Sequence, residues 1–211
     1  MGSRKVIAKS PTVEKPRAVR HSGEDRRRQI VDAVLDLLAE VGESGVSTPA
    51  IAERLGVAQS AIFKHFRSKA DIWAAVTETL GAQVGARVER AFAIPAAPAM
   101  RYSAILEAYL SAAQDLPAIP ALLFGAEVQS QRVSPLRETI RRRFGLLRAA
   151  LADAARAGVD AGALRAGVDV EAFADLGVAL AQGLLVAWQL SERRLDMPRE
   201  ARRLCGLLWS L

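Results

Sequence analysis

The 211-residue chain has one cysteine, Cys205, and two histidines, His21 and His65. A lone thiol cannot close an intramolecular disulfide, which excludes a small secreted fold stapled by cystines. Cys205 lies in an apolar terminal segment and reads as a small packing hydrophobe. Residues 69–211 contain no imidazole, so neither a nucleophilic triad nor most transition-metal sites can be assembled there. The glycines at 81, 85, 158, 162 and 167 lack Walker or dinucleotide spacing, and carboxylates with metal-ligand spacing are also missing. The sequence thus predicts no enzyme, no metal site and no cofactor. Residues 1–28 hold no apolar run of signal-peptide type, so a cytoplasmic location is expected. Runs of β-branched and aromatic residues are absent as well, and Ala, Leu, Arg and Glu dominate, which points to an all-α fold.

The charge is unevenly spread. Residues 1–28 hold nine Lys/Arg against three acids, a net of +6 that equals the formal charge of the whole chain. The high pI therefore describes the N-terminal segment. Pro11, Pro16 and the lack of apolar periodicity predict a disordered basic arm over 1–22. One use for such an arm is to lie along phosphates or enter a minor groove; the alternative is a solvated tail.

Residues 48–69 carry the most information. Gly56 sits where a sharp reversal between two short helices needs a positive φ. Before it, Ile51 and Leu55 share one face and Ala52 permits close crossing; after it, Val57 and Ile62 complete an apolar wedge. Thr48 followed by Pro49 reads as an N-cap hydroxyl and a first-turn proline. What remains on the outward face of the second helix is Gln59, Ser60, Ala61, Lys64 and His65, small or polar and fit to enter a major groove. An ordinary αα-hairpin is the bland alternative. Of the outward residues, Gln59, Ser60, Ala61 and Lys64 are expected to face bases, and Thr48, His65, Arg67 and Lys69 to grip phosphates.

The run from Val57 to Lys69, preceded by Arg-Arg-Gln-Ile-Val-Asp-Ala-Val-Leu-Asp-Leu-Leu-Ala-Glu-Val-Gly at 27–42, resembles the DNA-binding domain of the tetracycline-repressor (TetR-like) family. The resemblance is specific over about residues 25–75 and elsewhere rests on length and helical content. It implies phosphate contacts from a threonine opening the second helix, an aromatic and a histidine on the third and a lysine opening the fourth, which fall on Thr48, Phe63, His65 and Lys69. Two positions depart from the family pattern: Phe63 stands where a tyrosine is usual, and Ala58 where a capping Ser or Thr is usual.

Along the rest of the chain the periodicity predicts nine or ten helices. Ser22 with Asp25 fits a capping box opening a helix to about Val41, with Ile30, Val34, Leu37, Leu38 and Val41 as its stripe. Ser68 with Asp71 opens a helix to about Phe92, carrying Ile72, Trp73, Val76, Leu80 and Val84. Further helices follow around Tyr102–Leu110 and Leu122–Val128, over 135 to about 157 with Leu136, Ile140, Phe144, Leu147 and Leu151 inward, from the Asp169 cap to about 191, and from Pro198. This gives an N-terminal three-helix helix-turn-helix domain over 23–68 and a C-terminal helical domain over 69–211.

The stretch 172–190 is apolar nearly all round. A membrane span is disfavoured by Asp175, Gln182 and the one-sided arginines. Burial against its own domain and a second subunit fits better, with Gly177, Ala181 and Leu184 allowing close helix approach and a homodimer forming through helices 135–157 and 169–191. The resemblance implies the same dimer. It also implies an inducer pocket, for which the converging groups are Trp73, Val76, Tyr102, Ile105, Tyr109, Leu122, Phe124 and Trp188. Glu127, Gln131 and Gln182 are the scarce polar anchors, and the alternative for each residue is plain core. The sequence thus points to a homodimeric repressor released from a palindromic double-stranded DNA operator by a small, mostly apolar ligand. The rivals are a ligand-independent architectural DNA binder and a helical enzyme or scaffold.

Overall fold

A computed structural model describes residues 23–125 and 135–210; these form nine helices and no strand. They are α1 (Gly23–Gly45), α2 (Thr48–Arg54), α3 (Gln59–Phe63), α4 (Lys69–Ala93), α5 (Pro98–Asp115), α6 (Ala118–Leu123), α7 (Pro135–Asp160), α8 (Val170–Leu190) and α9 (Met197–Leu208). The expected arm and the Ser22 cap lie outside the described residues.

Caps set most of the boundaries. Ser68 Oγ accepts from Asp71 N at 3.1 Å at the start of α4, and Asp169 Oδ1 accepts from Glu171 N and Ala172 N at 3.0 and 3.1 Å at the start of α8, each satisfying amides that a helix N-terminus leaves open. Two expectations need correction. The cap of α2 is Ser47, extended at φ −132° and accepting from Ala50 N, while Thr48 is already helical. The last helix begins at Met197 behind an Asp196 cap, with Pro198 one residue inside, because Asp196 supplies the side-chain acceptor that a proline start lacks.

Helix α1 breaks at Gly42, whose φ of 70° ends the regular turns. Val41, expected in the buried stripe, is 53% exposed: the stripe stops one turn before the break. Ile30, Val34 and Leu38 are buried with Ile51, Ile62 and Phe66 under the head, at one end of a continuous core. Toward its other end α5 lies centrally, with Tyr102, Ile105, Leu106 and Leu110 at 0% exposure, contacting α4, α7, α8 and α9.

Helix α8 departs from the expected packing. Gly177, Ala181 and Leu184 are buried within the protomer, and a Cβ at Gly177 would collide with the Tyr102 hydroxyl and touch Leu151. Gly177 thus admits Tyr102 of α5 from the same protomer. The apolar groups left outward are Leu176, Val186 and Leu190 on α8 and Leu146 on α7. By length and composition α8 could cross a bilayer, but Arg148 Nε meets Asp175 at 2.5 Å and Nη1 meets Glu171 at 2.6 Å. These ion pairs tie α8 to α7, and its buried face packs against α7, α5 and α9, the arrangement of a helix held in a folded domain.

Candidate nucleic-acid interface and ligand cavity

The head is built by the turn between α2 and α3. Gly56 adopts φ 63°, a left-handed conformation that costs an L-residue about 1–2 kcal/mol. The reversal is closed by backbone bonds from Gly56 N to Glu53 O and from Val57 N to Ala52 O, both 3.0 Å. Ile51, Ala52 and Ile62 are buried, and Leu55 and Val57 half-buried, as the wedge requires. No side chain caps α3, since Ala58 has no acceptor.

With the wedge inside, Gln59, Ser60, Lys64 and Arg67 are exposed and Ala61 and His65 half-buried. Phe63 is 44% exposed, an apolar ring held toward solvent on the same short helix. Thr48 is half-buried, and its hydroxyl accepts from Gln59 Nε2 at 2.8 Å, so the two helix starts are joined side chain to side chain. Lys69 Nζ donates to Val46 O at 3.0 Å and lies 5.9 Å from the Trp73 ring centre. One of its three donors is thereby used, and the ammonium is held beside the head.

Three contributors escaped the sequence reading. Ser47 caps α2; Phe66 is buried under the head; and Arg27 of α1 donates to the His65 carbonyl while its guanidinium stacks 4.1 Å from the Phe66 ring. Arg27 stood in a run of three arginines, and nothing local distinguished the one that turns inward. Arg54 of α2 also bonds Glu40 of α1, and that hydrogen bond holds the Glu40 carboxyl below its usual range.

The second site is a cavity of about 490 Å³ among α4, α5, α6 and α7. Its walls are mainly apolar: Leu80, Val84, Val88 and Phe92 on α4, Ile119 and Leu122 on α6, Ile140, Phe144 and Leu147 on α7. Of the pocket residues named from the sequence, Tyr109 and Leu122 line it. Tyr109 packs 6.2 Å from Phe144, and its hydroxyl accepts from Gln182 Nε2 at 3.4 Å. Burial pushes the phenol up to about 12. Trp73, Val76, Tyr102, Ile105 and Trp188 are buried core and do not line this cavity. Trp73 and Val76 sit on α4 nearer the head than Thr77, the first α4 residue in the wall. Tyr102 meets Phe173 and Trp209 edge to face at 5.3 and 5.8 Å, and its hydroxyl donates to Phe173 O at 2.7 Å. Phe124 lines a separate cleft with Lys69, Gln189 and Arg193. Glu127 and Gln131 lie outside the described residues.

Residues 30–76 match the family described as bacterial regulatory proteins, tetR family, and residues 98–206 match the BetI-type transcriptional repressor C-terminal family. The chain is 30% identical over 183 residues to an uncharacterized HTH-type transcriptional regulator of Mycobacterium tuberculosis, covering 82% of this chain and 91% of that one. It is 46% identical over 54 residues to the class A tetracycline repressor protein from transposon 1721 of Escherichia coli, a match spanning 26% of this chain and 25% of the repressor. The fold is shared with the transcriptional regulator FadR from Bacillus subtilis, solved in complex with stearoyl-CoA (TM-score 0.73, 21% identity, 87% of this chain and 97% of that one). It is shared also with a TetR transcription regulator from Haloarcula marismortui (TM-score 0.75, 19% identity, 89% and 97%).

Proposed function

The chain belongs to the tetR family of bacterial regulatory proteins, and from that premise we propose that it is a homodimeric repressor, released from a palindromic operator when a small, mostly apolar ligand fills the cavity beside α4. The observation that carries this reading is the position of α4. Its first residue, Lys69, lies beside the head, and its wall from Thr77 to Phe92 lines the cavity. A ligand that widens the gap between α4 and α7 therefore tilts the helix on which the head rides. It shifts the equilibrium only by its preference for the tilted form.

Gln59, Ser60, Ala61 and Lys64 would face bases, and Thr48, His65, Arg67 and Lys69 phosphates, with the Phe63 ring against the sugar-phosphate edge. We divide the chain at Ser68, with the head before it and the effector domain after it. Two heads spaced ~34 Å apart, one turn of duplex, are needed because one short helix touches few bases. The outward apolar groups of α8, Leu176, Val186 and Leu190, supply a surface for twofold pairing. The solved FadR with stearoyl-CoA lends weight to an apolar effector.

An unbiased duplex selection on the purified protein, followed by footprinting and gel filtration, tests the reading. A short palindromic logo bound by a dimer is expected. Broad protection of A·T-rich DNA by a species that elutes as a monomer would overturn it.

A further inference from the structure

We infer that the cavity takes an amphiphilic monocarboxylate, a hydrocarbon ending in one carboxylate group, with Arg143 as its headgroup anchor; this rests on the reading of that cavity as the effector site. The walls are hydrocarbon for most of their extent, and the only cation among the described lining residues is Arg143. Its guanidinium lies against the backbone of α4 at Gly81, where a Cβ would collide with Nε and Cζ. Glycine at 81 is what lets the arginine lie in the wall.

The bonding of that guanidinium is incomplete. Arg143 Nη2 donates to Glu78 Oε1 at 2.7 Å, but Nε is buried without a hydrogen-bond partner among the described residues. That atom is packed on Gly81 and out of a ligand's reach, so the anchor is the part of the guanidinium that stands in the wall, and a carboxylate is the acceptor that suits it best, through a charge-assisted bond. Glu78 is moreover shared, since Arg142 Nη2 also lies 3.5 Å from its carboxylate. Two guanidiniums therefore share one carboxylate beside this end of the wall.

From Gly81 the wall continues through Val84 and Val88 to Phe92, about 17 Å farther along α4 at 1.5 Å per residue. That length suits an extended chain. Glu89 and Asp153 stand in the wall beyond the arginine, Asp153 paired with Arg156 at 2.8 Å. Glu89 is solvent-exposed, so it attracts a ligand cation weakly, whereas the Arg143 side chain is 27% exposed and its charge is screened less. No cation besides Arg143 stands among the described lining residues, so a second carboxylate has no partner at the far end. One acid group per ligand follows.

Calorimetry on the full chain tests this with octanoate, decanoate and dodecanoate, against decanol, decylammonium, decanedioate and decanoyl-CoA. Affinity is expected to rise about fourfold per added methylene until the channel is filled. Decanoate is expected to bind about tenfold tighter than decanol, with decylammonium and decanedioate no tighter than the alcohol. Arg143→Gln should erase the preference for acid over alcohol, with alcohol binding as the fold control. Gly81→Ala should do the same by displacing the guanidinium. Equal binding of acid, alcohol and ammonium, an acid preference that survives Arg143→Gln, or binding of the thioester alone would each overturn the inference. If binding ignores the headgroup but still releases operator DNA, this inference fails and the effector reading stands. If no compound binds and none releases DNA, the effector reading fails with it.

Discussion

Gln59 Nε2 donates to Thr48 Oγ1 at 2.8 Å, so the first residue of α3 is tied to the first residue of α2. A glutamine that would meet a base edge is thus oriented by a threonine that would meet a phosphate, and grip and specificity are coupled. Thr48→Val keeps the shape and removes the acceptor. Operator affinity is expected to fall about tenfold, on the scale of one charge-assisted contact, and the base preference opposite Gln59 to broaden. A selection logo unchanged at every position would show that the bond does not orient the glutamine.

Gly56 is required by conformation alone: its φ is 63°, and a Cβ there would meet nothing within 4 Å. Gly56→Ala should therefore cost about 1–2 kcal/mol in urea denaturation, the expense of a left-handed L-residue, without loss of cooperativity. A cost near zero would mean that the turn relaxes to another conformation.

Gly177 poses the opposite case, since a Cβ there would strike the Tyr102 hydroxyl. Gly177→Ala is expected to destabilise by about 1–3 kcal/mol through overpacking. Tyr102→Phe alone should cost about 1 kcal/mol for the lost bond to Phe173 O. Combined, they should cost less than their sum, because removing the hydroxyl makes room for the methyl. Strict additivity would be evidence that the two residues do not compete for space.

Acid should act on the α7–α8 seam. The hydrogen bond from Arg148, with its charge attraction, outweighs partial desolvation and holds the Asp175 carboxyl below its ordinary value of 3.8. A carboxyl whose value is lower when folded stabilises above the ordinary value, and that contribution disappears as pH falls through the folded value. The stability gap between the parent and Asp175→Asn should thus be present at pH 7 and narrow as the pH is taken below 3.8. Denaturation curves over that acid range decide it; a gap that does not change would contradict the assignment.

Leu176 is 52% exposed and Leu190 81%, on an outward face of α8 that also carries Val186 at 43%. If the outward face of α8 forms the twofold interface proposed above, Leu176→Glu with Leu190→Glu should give a monomer in sedimentation, with melting shifted little for the protomer and operator binding lost. A doubly substituted protein that still sediments as a dimer would place the twofold face elsewhere.

How much of this the sequence carried depends on the range of the interaction. The Ser68–Asp71 cap, the Asp169 cap and the inward set of Ile51, Ala52 and Ile62 all rest on residues a few positions apart, and each appears where spacing placed it. Ser47 was missed although it is local, because Thr48 beside it offers the same hydroxyl and only the backbone angles tell a cap from a first turn. Arg27, reaching 38 positions to His65, left no local signal at all.

The pocket shows the limit most clearly. Tyr109 and Leu122 line it, while Tyr102 and Ile105, equally apolar and on the same helix as Tyr109, are core.

The order of helices, the glycine-hinged head and its polar outer face were written into the chain, since periodicity, capping and turn stereochemistry act over one or two turns of backbone. Which faces enclose empty space, which small residues admit a neighbour from the same protomer, and which arginine lies against Gly81 were decided only when α4, α5, α7 and α8 packed. A cavity is what remains between helices far apart in sequence, and no single stretch of residues encodes it.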